Sequence, residues 1–69
     1  MINTQMLREK IKDARMSMEE VAGAASMDRS TLYRRLASEN GEFTVAEAIA
    51  ISKCLKLSKR EIMAIFFEE

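Results

Sequence analysis

The most chemically capable stretch of the chain runs from Arg29 to Arg35, where three arginines, Ser30, Thr31 and Tyr33 occur together without an acid. Guanidinium forks and hydroxyls of this kind donate hydrogen bonds to anions, and arginine's planar donors match phosphate oxygens and the acceptor edges of guanine. A basic run is more often a solvated helical face held by intrahelical ion pairs. That explanation lacks its partners here, because no acid lies three or four residues beyond Arg29 or Arg34 in this segment.

The inventory for catalysis is poor. Histidine is absent and Cys54 is the single cysteine, which removes the commonest general base, the commonest metal ligands and any internal disulfide. No nucleophile and base pair is recognisable, so neither an enzyme, a metal centre nor a cofactor is expected. Cys54 itself reads as a small buried hydrophobe, since nothing near it lowers a thiol pKa.

A length of 69 residues, 48% hydrophobic and 32% charged with no proline, fits one globular domain over 1–69. Eleven basic residues offset eleven acidic ones, so any binding to nucleic acid must come from charge distribution, not from net charge. No apolar run approaches the roughly 20 residues that cross a bilayer, and Met1 to Met6 lack the basic and apolar regions of a secretory signal. The chain as given reads as cytoplasmic.

The elements that position the basic segment announce themselves by a repeated start code. Asn3, Ser17, Asp28, Thr44 and Ser58 are each preceded by an apolar residue and followed four residues later by an apolar or small one, the pattern of an N-cap with its hydrophobic staple. Glu20, Glu47 and Glu61 stand three residues after Ser17, Thr44 and Ser58, completing three capping boxes. Between caps the apolar spacing is helical: Leu7, Ile11 and Ala14; Val21 and Ala25; Leu32 and Leu36; Val45, Ala48, Ile49, Ser52 and Leu55; Ile62, Ile65 and Phe66. Breaks fall at Arg15 to Ser17, Ser26 to Asp28, and Ser38 to Phe43, the last containing the turn dipeptide Asn40-Gly41. The reading is all-α, with five short helices. The fourth is apolar or small nearly all round, with Ala46, Ala50 and Cys54 opposite Val45 and Ile49, and is expected to be the central buried helix.

The second and third helices, Met18 to Ala25 and Arg29 to Ala37, are joined by only Ser26-Met27-Asp28. So short a link forces a steep crossing, for which Ala22 is the small contact residue, Met27 the plug in the turn and Leu32 the apolar residue that reaches back. This is a helix-turn-helix pattern. With Leu32 and Leu36 inward, a 100° step places Ser30, Arg34 and Ala37 outward with Thr31 and Tyr33 flanking them, while Arg29 projects from the first turn. Asp28 serves as the N-cap. Arg15 abuts the second helix within reach of a phosphate, and Ser17 sits at that helix's N-terminus, where amides and a positive dipole end attract anions.

Met16-Ser-Met-Glu-Glu-Val-Ala22, Asp28-Arg-Ser-Thr-Leu-Tyr-Arg-Arg-Leu36, Gly41-Glu-Phe-Thr-Val-Ala-Glu-Ala-Ile49 and Leu57-Ser-Lys-Arg-Glu-Ile62 together resemble the phage Cro and cI repressor family and its xenobiotic-response-element-type relatives, most closely short Cro-like proteins. The resemblance covers almost the whole chain. It implies a five-helix, lambda-repressor-like domain that sets its third helix in the major groove of operator DNA, usually as a dimer, and represses transcription there. It implies Arg29, Ser30 and Arg34 as base readers with Tyr33 beside them, and places Thr31 and Arg35 nearer the phosphates. The family usually has glycine where Ser26 stands, so a left-handed backbone with modest strain is expected there. Met18 replaces a customary phosphate-binding glutamine, and acidic Glu39 and Glu42 occupy a loop that is often basic in the family.

In the last helix Ile62, Ile65 and Phe66 fill an inward stripe, leaving Met63 and Phe67 paired on another face. A domain this small buries only about 60% of its unfolded surface, so Met63 and Phe67 are expected to form a homodimer interface. The competing reading is a protein-interaction module built on the same fold, antitoxin-like or regulator-binding, with weak or no affinity for DNA.

Overall fold

The computed structural model describes residues 2–38 and 42–67. Five helices form: α1 (Thr4–Asp13), α2 (Met18–Ala24), α3 (Arg29–Ala37), α4 (Val45–Cys54) and α5 (Lys59–Phe66). Among the described residues there is no strand, and no helix is long and apolar enough to cross a membrane. Asn40-Gly41, expected to turn the chain, and the acidic Glu39 lie outside the described residues.

Every helix begins at the residue its start code names. The side chains of Asn3, Ser17, Asp28, Thr44 and Ser58 each accept from the amide three residues on, and the boxes Ser17/Glu20, Thr44/Glu47 and Ser58/Glu61 close in both directions. Each satisfied orphan amide stabilises its helix by about 1 kcal/mol. The five preceding apolar residues, Ile2, Met16, Met27, Phe43 and Leu57, all pack partly buried against the core. The caps therefore aim the incoming chain as well as starting the helices.

Three helices end without glycine in the left-handed region, at Arg15 (φ 56°), Ser26 (φ 58°) and Lys56 (φ 53°). At Ser26 the pattern is a full Schellman end, with Met27 N–H donating to the Ala22 carbonyl at 3.0 Å and Ser26 N–H to the Gly23 carbonyl at 3.0 Å. Lys56 repeats it, through Leu57 N–H to the Ser52 carbonyl and Lys56 N–H to that of Lys53. The strain expected at Ser26 is present and recurs at the other two positions.

Each helix sends one large side chain to complete burial: Leu7, Val21, Leu32, Ile51 and Ile65. Removing one such side chain from water stabilises the fold by about 1.5–3 kcal/mol. α2 packs against α3 and α4, and α1 against α3 and α5. Asn3 N–H donates to the Ile65 carbonyl at 2.8 Å and Lys10 pairs with Glu61, tying α1 to both ends of α5.

α4 departs from expectation. It is not buried all round: its inward stripe is Ala48, Ile51, Ser52 and the C-cap Leu55, whereas Val45 is 68% and Ile49 50% exposed. The reason is geometric. α2 packs against α4, and the side carrying Ile51 is the one that is covered. The buried Ser52 hydroxyl is satisfied by donating to the Ala48 carbonyl at 2.7 Å. Cys54, expected to be buried, is half-buried, its sulfur 3.7 Å from that of Met16. Ala14, counted in the apolar stripe of the first helix, is exposed at that helix's C-cap.

Candidate nucleic-acid interface

The orientation of α3 is set by Leu32 and Leu36, both essentially inaccessible to solvent. Helical geometry then carries Arg29, Ser30, Tyr33, Arg34 and Ala37 to the surface, and all five are exposed. Tyr33 keeps half of its surface in water, more than core-edge packing of its ring would leave. Arg29 and Arg34 have no ion pair among the described residues. Their guanidinium donors remain available to an external acceptor.

Among the described residues Asp28 is the acid at the start of this face, and the cap occupies its carboxylate. Oδ1 accepts from the Thr31 hydroxyl at 2.5 Å and from the Thr31 amide at 3.1 Å. These bonds, the hydroxyl's first, hold the Asp28 carboxyl below its usual range. The negative charge is spent on the positive end of α3. The same geometry engages the Thr31 hydroxyl, which is half-buried and locked to its own cap.

Arg35 stands apart from the other arginines. It is half-buried and donates to Glu47 Oε1 of α4, and its guanidinium carbon lies 5.6 Å from the centre of the Phe43 ring. Phe43 in turn meets Phe66 edge to face, with centroids 6.2 Å apart and planes at 83°. Thr44's amide above all, with Arg35 assisting, keeps Glu47 ionised below its usual range. Arg35 thus joins α3 to the start of α4, in place of the outward phosphate position that the resemblance implies.

Arg15 is exposed at the α1–α2 junction. Ser17, also exposed, has its oxygen accepting from the Glu20 amide at 3.1 Å while its own amide donates to Glu20 Oε1 at 2.9 Å. The capping box fills part of the anion seat expected there, and Glu19 and Glu20 add negative charge to the first turn. Met18, where the family carries glutamine, is half-buried against the core. Glu42, at the edge of the loop after α3, is exposed.

A second surface feature lies along α4 and α5. A groove of about 260 Å³ runs between them, walled by Val45, Ile49, Leu57, Ile62 and Phe67, with Lys53 and Lys56 among its lining residues. Phe67 is 54% exposed, and Met63, four residues earlier on α5, is exposed to the same degree. Both residues of the expected self-association pair are therefore on the surface. Val45 and Ile49 are exposed as well and share the groove with Phe67, although sequence reasoning assigned them to the core. Their signal was the same spacing of four residues that singled out Met63 and Phe67.

No protein-family model, curated protein or solved structure matches the chain.

Proposed function

We propose that this chain is a sequence-specific double-stranded-DNA-binding regulator of transcription that sets α3 in the major groove. The reading is carried by one observation: Arg29, Ser30, Tyr33 and Arg34 share an exposed, acid-free face of a helix whose inward residues fix its orientation. The α2–turn–α3 unit supports it, since Ala22 and Leu32 are buried and Met27 plugs the turn as a helix-turn-helix requires. In this reading α3 reads base edges through Arg34, Arg29 and Ser30, with Tyr33 alongside. Arg15 and the Ser17 hydroxyl meet phosphates and fix the register, while Thr31, whose hydroxyl and amide both donate to Asp28, holds the start of α3. Arg35 acts by holding α3 against α4.

Two copies associate through Met63 and Phe67, so that paired α3 helices read half-sites about 34 Å apart in a palindrome. Repression follows from occupying an operator that overlaps a promoter. Selection of bound sequences from random duplex DNA, followed by a salt titration of the best site, tests the proposal. An enriched palindrome is expected, with the logarithm of its affinity falling linearly with the logarithm of salt concentration. Recovery of no preferred sequence, with no salt-dependent binding, favours the protein-interaction reading instead.

A further inference from the structure

The α4–α5 groove has a composition that names its occupant. Its walls are apolar, and the two charged residues lining it, Lys53 and Lys56, are both cationic. Neither lysine has an ion-pair partner among the described residues, where the carboxylates nearest in sequence are committed elsewhere: Glu47 to Arg35 and Glu61 to Lys10. Lys56 is held in the left-handed region by the Schellman end of α4, which fixes the backbone from which its side chain leaves.

We infer that this groove binds a single-chain anionic amphiphile, the alkyl chain lying between Val45, Ile49 and Phe67 and the carboxylate or phosphate headgroup meeting Lys53 and Lys56. The volume fits one chain. At about 260 Å³ the groove exceeds the roughly 150 Å³ cavity that takes a benzene ring, yet falls short of the roughly 300 Å³ at which drug-sized pockets begin. Charge argues against a second copy as the occupant, because a symmetric contact across this groove would bring four lysines together with no lining acid to offset them. The inference does not depend on DNA binding. It does intersect the proposed self-association, since Phe67 lines the groove and belongs to the dimer pair.

The test is an amide-resolved NMR titration of the full chain with octanoate, octyl phosphate and octyltrimethylammonium, each below its micelle concentration. Saturable shifts confined to Val45, Ile49, Lys53, Lys56 and Phe67 are expected with the two anions. Affinity for the cation should be roughly tenfold weaker, the effect of two partly exposed charges. In the Lys53→Gln/Lys56→Gln double variant, whose folding the same spectra report, anion and cation affinities should converge. Preference for octanoate or octyl phosphate identifies the headgroup. Equal affinity for anions and cation, shifts spread over α1 and α2, or no saturable binding would overturn the inference. So would movement of the Val45, Ile49, Lys53 and Lys56 amides on simple dilution, which assigns the groove itself, beyond the Phe67 edge it shares with the proposed dimer, to a second copy.

Discussion

Arg35 of α3 and Glu47 of α4 form a half-buried ion pair in which Glu47 Oε1 accepts from the arginine and, at 2.9 Å, from the Thr44 amide that starts α4. One carboxylate oxygen therefore caps a helix and clamps it to its neighbour. With Phe43 beneath the guanidinium, this contact spans the loop between α3 and α4.

Arg35→Ala should destabilise the fold by about 2 kcal/mol, the loss of a charge-assisted hydrogen bond and a cation–π contact. Urea unfolding should show a lower midpoint at unchanged slope. Lysine at this position should recover only part of the loss, because a point charge cannot keep both the carboxylate and the ring. A change in Arg35→Ala below about 0.5 kcal/mol, the range of ordinary surface substitutions, would show the clamp to be incidental.

α2 carries its glycine in the wrong place for its own geometry. Ser26 occupies the left-handed C′ position, whereas Gly23 sits within the helix with nothing within 4 Å of where a Cβ would stand. Ser26→Gly and Gly23→Ala should each stabilise by about 0.5–1 kcal/mol, the first by relieving strain and the second by restricting the unfolded chain. Thermal unfolding of both variants checks this. A fall in stability for Gly23→Ala would mean that this exposed position has a contact that the fold of one copy does not contain.

Much of the architecture is legible in the sequence, because capping and stapling are local codes. Asn3, Ser17, Asp28, Thr44 and Ser58 sit within a few residues of everything they bond. The left-handed backbone at Ser26 was legible through the resemblance, which usually has glycine at that position. The exposure of Val45 and Ile49 was not: a helix apolar on nearly every side has no face that periodicity prefers, and the neighbours decide which side is covered. Arg35 was placed nearer the phosphates by the resemblance alone, and its partner Glu47 is twelve residues away, beyond what helical spacing reveals. The outward face of α3 was legible, since Leu32 and Leu36 alone fix its rotation.

Acid should unfold the protein through its capping carboxylates. Lys10 above all, with the Ser58 amide, lowers Glu61 from an ordinary value of 4.5 to about 2, and Glu20, Glu47 and Asp28 are lowered as well. Carboxyls with depressed folded values contribute fully above their unfolded pKa and lose that contribution as pH falls through the folded value. Stability should therefore decline from near pH 4.5 towards pH 2. Lys10 is raised chiefly by Glu61, so its contribution holds below 10.5 and is lost above that as the folded amine titrates. Glu61→Gln should flatten both limbs in pH-dependent urea titrations. An unchanged acid limb would separate this pair from acid stability.

Self-association through α5 predicts a dimer at tens of micromolar, the range of ordinary weak dimers. Met63→Ser/Phe67→Ser should be monomeric and folded, because both side chains are half exposed in one copy. Sedimentation equilibrium decides it: a monomeric parent chain at that concentration removes the dimer from the proposal.

The proposal of sequence-specific DNA binding is tested most directly at Arg34, the exposed residue opposite Leu32 and Leu36 on α3. Binding of the parent chain and of Arg34→Ala should be measured on the selected operator and on a scrambled duplex of equal length. A bidentate contact to guanine O6 and N7 is worth about 1–3 kcal/mol of discrimination. The variant should lose that much on the operator, relax preference at one base pair per half-site, and change little on the scrambled duplex. Equal losses on both duplexes would make Arg34 a phosphate clamp outside the recognition code, and no binding to either duplex by the parent chain would contradict the DNA-binding function itself.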